Sequence, residues 1–223
     1  MKNMITKINR CRRKSIGLYI TRDAHLEVRA PYWVTKNMIY DFVEKKKDWI
    51  EKNIKNAKIK KEKKDQLDFE IGGKLLFLGK TYNIIEDKEV TALEFKEDNI
   101  LVPSKFKSRV KQVFIKSLIK LTEKKIHNRI KYFADLLEVE FNKIKISKAT
   151  RQWGSCTIDN NLNFSWKLIM APNFVIDYII VHELCHLKQF NHSKKYYSEV
   201  GKILPDYKKS ELWLRKNDYI LII

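Results

Sequence analysis

Apolar and polar positions alternate early in the chain, and that pattern predicts strands first. Ile16, Leu18 and Ile20 fall on one side of a short run, and Leu26 and Val28 repeat the pattern after Arg22-Asp23-Ala24. Residues 4 to 30 therefore predict a β-hairpin, which Pro31 ends. The period then changes. From Thr35 to Ala57, Ile39, Phe42, Val43, Trp49, Ile50 and Ile54 recur at helical spacing opposite a polar face. The charged run from Lys58 to Gln66 reads as a linker. Phe69 to Val102 predicts short strands separated by Gly72-Gly73, Gly79-Lys80 and Glu97-Asp98-Asn99.

A long helical pattern follows from Ser104 to Glu138, with Val110, Val113, Phe114, Leu118, Leu121, Ile130, Phe133 and Leu137 as its apolar positions and a break admissible near His127-Asn128. Phe141 to Met170 returns to strand character around a turn at residues 157–161. Pro172 to Phe190 predicts one helix, and its mostly apolar run Phe174 to Val181 implies burial on most sides. Two more helices, Ser193 to Leu204 and Tyr207 to Lys216, are separated by Pro205-Asp206, and the tail from Tyr219 to Ile223 is expected to pack as a strand. The fold class is α+β in two lobes. Residues 1–104 form a β-rich lobe with one helix, and residues 105–223 a mainly helical lobe with a small antiparallel sheet.

Chemistry concentrates near the end of the buried helix. Three of the five histidines lie within eleven residues, His182 to His192, and the run contains His182-Glu183-Leu184-Cys185-His186. Helix residues four apart lie on one face a turn apart, so both imidazoles can reach one ion. Zinc held by two histidines and a third ligand keeps a position for water, and a glutamate beside the first histidine can take that water's proton. Unpaired polar groups in an apolar helix are costly, and a metal supplies their partner. His192 is the favoured third ligand, with Glu199 and Glu211 as rivals. It lies six residues past His186, so it can join only if the helix stops first, and Asn191 is the expected stop. One zinc ion, with Glu183 as catalytic acid and base, makes the chain a candidate metallopeptidase acting on protein or peptide.

Other side chains are weighed against this centre. Tyr196, Tyr197 and Tyr207 are candidate oxyanion donors, each better explained as an aromatic packed on the metal helix. Trp153-Gly154-Ser155-Cys156 is a candidate sheet edge to which an extended peptide can add as a strand. Cys185 is expected to face away from the metal as a small core residue. Asp177 sits at an awkward angle to serve His182, which leaves the partners that orient the histidines unassigned.

An ordered set of residues carries a resemblance. Arg151-Gln152-Trp153-Gly154-Ser155-Cys156, Leu162-Asn163-Phe164-Ser165-Trp166-Lys167-Leu168, Ala171-Pro172, Val175-Ile176-Asp177-Tyr178, the histidine motif with Asn191-His192-Ser193, Pro205-Asp206-Tyr207 and Trp213-Leu214 together resemble the YgjP-like zinc metallopeptidases, relatives of the SprT and WLM groups. Arg12-Arg13-Lys14-Ser15-Ile16 and Val28-Arg29-Ala30-Pro31 resemble that family's opening strands. The resemblance implies a zincin-like catalytic lobe, zinc held by His182, His186 and His192, and Glu183 as the acid and base. Gln152 is an extra residue relative to the family pattern, and Tyr196-Tyr197 stands where the family tends to carry Phe-Trp.

Composition adds less. A net charge of +19 is almost all lysine, only nine of the 46 basic residues being arginine. A chain rich in Ile, Asn and Lys is what an AT-rich genome produces without functional demand. Lys45-Lys46-Lys47 and the lysines from Lys58 to Lys64 nevertheless make weak nucleic-acid association a second reading, either beside a structural zinc site or for action on DNA-bound proteins. Residues 1–15 lack the apolar stretch of a signal peptide, no run approaches a membrane span, and three cysteines cannot all pair. A cytoplasmic location without membrane association is expected.

Overall fold

The computed structural model describes residues 5–222; residues 1–4 and 223, which the expected hairpin, lobes and tail include, lie outside it. The chain is α+β and divides into two compact units, the first ending at Asp65 and the second beginning at Gln66.

In the first unit β1 (Ile5–Arg10), β2 (Gly17–Ile20) and β3 (Leu26–Ala30) form a sheet in the order β1-β3-β2. β2 and β3 are the expected antiparallel hairpin, and β1 adds parallel to β3. Helix α1 (Lys36–Lys45) starts where Thr35 accepts the Met38 N–H at 3.2 Å. It stops at Lys46, whose φ of −111° and ψ of 15° leave the helical region, and α2 (Lys47–Asp65) begins at once. The single expected helix is thus two, and the expected linker is the second half of α2. Lysine and glutamate are good helix formers, and with no glycine or proline in the run nothing stops the helix. Leu26, Val28, Ala30, Val34, Ile39, Val43 and Ile50 make the core of this unit.

The second unit opens with β4 (Lys74–Phe77), β5 (Lys80–Asp87), β6 (Glu94–Lys96) and β7 (Asn99–Pro103), in the order β4-β5-β7-β6 with β5 and β7 parallel. Helix α3 (Val110–Leu137) runs unbroken through His127-Asn128 and ends on Glu138 in the left-handed region. β8 (Ile144–Ser147), β9 (Gly154–Cys156) and β10 (Leu162–Ser165) form a sheet ordered β8-β10-β9. It is mixed rather than antiparallel, because β8 runs parallel to β10. Then come α4 (Asn173–Cys185), α5 (Lys194–Ile203) and α6 (Tyr207–Lys216). The tail from Asp218 to Ile222 is a 3-10 helix and not a strand; Lys167 Nζ holds it by donating to the Leu221 carbonyl at 2.6 Å. Among the described residues no helix is long and apolar enough to cross a membrane.

The expected lobe boundary at 104/105 is not where the packing divides. Leu75, Leu76, Ile84, Ile100 and Val102 from the four-stranded sheet share one core with α3 and α4, so those strands belong with the helices. The β4–β5 turn shows how. Leu78 N–H donates to the Ile169 carbonyl and Gly79 N–H to the Met170 carbonyl, each at 2.9 Å, just ahead of α4. Gly79 has φ +82°, and a Cβ there would lie 2.6 Å from Pro172 Cγ. Both the backbone and the close approach require glycine. Gly79→Ala is expected to cost about 1–3 kcal/mol of stability, seen as a lower denaturation midpoint at unchanged slope.

Candidate metal centre

Helix α4 is apolar nearly all round, and Val175, Ile176, Tyr178, Ile179, Ile180, Val181, Leu184 and Cys185 are buried against α3, α5, α6 and β9. Its last turn presents His182 and, at the C-cap, His186, with ring centroids 5.0 Å apart. The α-helix ends at Cys185, five residues before the expected end, and Asn191 is not left-handed. Instead the Lys188 and Gln189 N–H groups both turn onto the Cys185 carbonyl, at 3.1 and 2.9 Å, and the chain doubles back. His192 then stands just before α5, whose cap Ser193 accepts the Tyr196 N–H at 3.4 Å. Early termination is what brings His192 home, since a continuing helix would turn it away.

The three imidazoles converge, with one potential ligand atom from each lying within 4.8 Å of the others. His192 Nε2 and His182 Nε2 are 3.1 Å apart. Two nitrogens on a tetrahedral zinc, each at the usual bond length, would be about 3.3 Å apart. The Nδ1 atoms of His186 and His182 both have partners. His186 Nδ1 is 3.2 Å from the Gln189 carbonyl and, as the donor, leaves Nε2 bare. His182 Nδ1 faces the Tyr178 hydroxyl at a long 3.4 Å, and that hydroxyl donates to Glu211 Oε1 at 3.2 Å. This relay fixes the tautomer that frees Nε2 for a metal. Burial, with the neighbouring His186 and His192 adding to it, pushes the His182 pKa down to about 3, so its imidazole is neutral, the form that ligates metal. Three rings whose nitrogens converge on one point fit a metal ion.

Both rival acids are engaged elsewhere. Glu199 pairs with Lys202 at 2.6 Å, and Glu211 accepts from Tyr178. Asp177 forms a two-pronged pair with Arg129, at 2.9 and 2.7 Å. Tyr196 is wholly buried, its ring centroid 4.8–5.3 Å from those of all three histidines. Its hydroxyl donates to the His182 carbonyl at 2.9 Å, so it is committed to holding α5 on α4. Tyr207 stacks between Tyr178 and Tyr197, extending the aromatic wall.

Glu183 is 4% exposed, and burial pushes its carboxyl up to about 8. It lies against Gly154 of β9, an edge strand of its sheet. A Cβ at Gly154 would fall 2.5 Å from Glu183 Oε1 and 2.8 Å from its Cγ, so the missing side chain is the notch that the glutamate occupies. The sequence reading missed this notch, the Tyr178–Glu211 relay and the Gln189 carbonyl. Tyr178, four residues before His182 and so on its face of the helix, was the one available signal.

All three cysteines are free thiols. Cys185 is buried, and burial pushes its pKa up to about 12. A thiol reagent at neutral pH is therefore expected to leave Cys185 unlabelled in the native protein and to reach it only on unfolding, which counting reacted thiols before and after denaturant will check.

A family model described as "YgjP-like, metallopeptidase domain" matches residues 14–217. No curated protein matches the chain. A solved structure, the metallopeptidase zymogen of Pyrococcus abyssi abylysin, is 19% identical over a match covering 41% of this chain and 93% of that one. Its TM-score of 0.38 is too low for the likeness to carry an argument.

Proposed function

Because the chain belongs to the YgjP-like metallopeptidase family, we propose that it is a zinc-dependent peptidase whose ion is held by His182, His186 and His192 and whose acid and base is Glu183. The convergence of the three histidines carries this reading. When bound, zinc supplies Lewis acidity toward a water molecule and toward the scissile carbonyl. The side chains do the rest. Tyr178 and the Gln189 carbonyl hold the first two imidazoles in the tautomer that offers Nε2. Glu183, in its notch on β9, accepts a proton from the attacking water and returns it to the leaving amine. A bound cation beside it would favour the ionised carboxylate that burial alone disfavours. The open side of β9 offers its backbone to an extended peptide as a further strand. Tyr197 and Tyr207 remain available as oxyanion donors, whereas Tyr196 is committed to His182.

The cluster gathers three donors, while a structural zinc site closes with four, which favours the catalytic reading over a structural one. Free thiols fit a reducing compartment such as the cytoplasm. Stripping the protein with a chelator should abolish casein cleavage, and one equivalent of zinc should restore it. Cleavage that persists in the metal-free protein would remove the proposal.

A further inference from the structure

The first unit carries a second candidate site. Its charge is uneven with the rest of the chain: 19 of the 46 Lys and Arg but only 8 of the 27 Asp and Glu lie in residues 1–65. That is a net +11, against +8 for the 158 residues that follow. Arginine, scarce elsewhere, is concentrated here, with five of the nine between Arg10 and Arg29. Lysine is abundant throughout the chain, but arginine is not, and its placement is local.

Three of these cations border one cleft. β1 and β3 lie side by side and parallel, and the segments leaving their ends, Arg12 to Lys14 and Pro31 to Trp33, line a cleft of about 410 Å³. Tyr32 and Trp33 are 70% and 68% exposed. They are not loose. They occupy a turn closed by the Val34 N–H on the Pro31 carbonyl, and Arg10 pins that turn from below by donating to both the Pro31 and Val34 carbonyls. Opposite, Arg13 lies across Gly17, where a Cβ would come within 2.6 Å of its guanidinium. Two largely exposed aromatic rings on a hydrogen-bonded turn beside Arg12, Arg13 and Lys14 leave apolar surface in solvent and add little packing to the fold.

We propose that this cleft binds single-stranded nucleic acid, with bases stacked on Trp33 and Tyr32 and phosphates on Arg12, Arg13 and Lys14. Stacking faces next to a basic track are the chemistry that sequence-tolerant single-strand binding uses. An acidic peptide would meet the cations but has no use for two open rings. A lipid surface would want a broad apolar face, and this shallow cleft offers only two rings among cations.

The test is fluorescence polarisation of the full-length protein with a labelled oligo-dT strand of about 15 nucleotides. Binding that weakens steeply with salt is expected. Trp33→Ala should weaken it about tenfold and Trp33→Phe should restore most of the loss, while Arg12→Ala with Lys14→Ala should flatten the salt dependence. All these side chains except Trp33 are charged and exposed, and Trp33 is itself mostly exposed, so the variants should melt like the parent. No binding at low salt, affinity unchanged in Trp33→Ala, or tighter binding to a duplex or to phosphatidylserine vesicles than to the single strand would each overturn the proposal.

Discussion

Glu183→Gln is expected to hold zinc as well as the parent protein does and to cleave casein about 10²- to 10⁴-fold more slowly. Glutamine has the shape of glutamate, so it can occupy the same notch against Gly154. It leaves the three imidazoles and the Nδ1 partners of His182 and His186 in place, because neither Tyr178 nor the Gln189 carbonyl touches residue 183 through a hydrogen bond. What it lacks is a carboxylate able to take a proton. Casein cleavage at the parent rate would show that the proton goes elsewhere. Loss of zinc from the variant would instead make Glu183 a structural support of the site.

The second large effect separates a ligand from its support. His192→Ala removes one of three converging nitrogens and is expected to abolish stoichiometric zinc binding. Tyr178→Phe keeps the ring that stacks on Tyr207 but removes the hydroxyl between His182 Nδ1 and Glu211. Losses of this kind cost about 10- to 100-fold in metal affinity. Zinc affinities measured by competition with a chromophoric chelator should fall in that order. If Tyr178→Phe bound zinc as tightly as the parent, the long 3.4 Å contact would not orient His182. If His192→Ala still held one equivalent, the third ligand would lie elsewhere, and Glu211 would be the first residue to try.

The candidate site was more legible in the sequence than the fold around it. His182, Glu183 and His186 are neighbours on one helix, so their juxtaposition is a local property that spacing reveals. The inward face of Cys185 and the burial of α4 follow from the same local periodicity. The β2–β3 hairpin and the glycine-bounded strands between residues 74 and 103 were legible for a like reason, since alternation and turn residues are short-range signals. What escaped depends on distant partners. The parallel pairings of β1 with β3, β5 with β7 and β8 with β10 leave no mark in alternation. Glu211 reaches Tyr178 from 33 residues away, and the Gly154 notch exists only once β9 meets α4.

Two misreadings have simple causes. The lysine run after Ala57 has a solvated composition, which suggested a linker, yet helix propensity, helped by the Lys61–Asp23 ion pair, carries α2 to Asp65 with only Ile50 fully buried. The boundary at 104/105 followed the change from strands to helices, whereas the division between units follows which apolar faces share a core.

In the proposed centre, three imidazoles hold one zinc and leave a position open. X-ray absorption at the zinc edge of the protein loaded with one equivalent reads this directly. Three histidine nitrogens and one light solvent atom, all at about 2.0–2.1 Å, are predicted. A sulfur in the shell at about 2.3 Å, four protein ligands, or a protein that stays folded and takes up no zinc would contradict it.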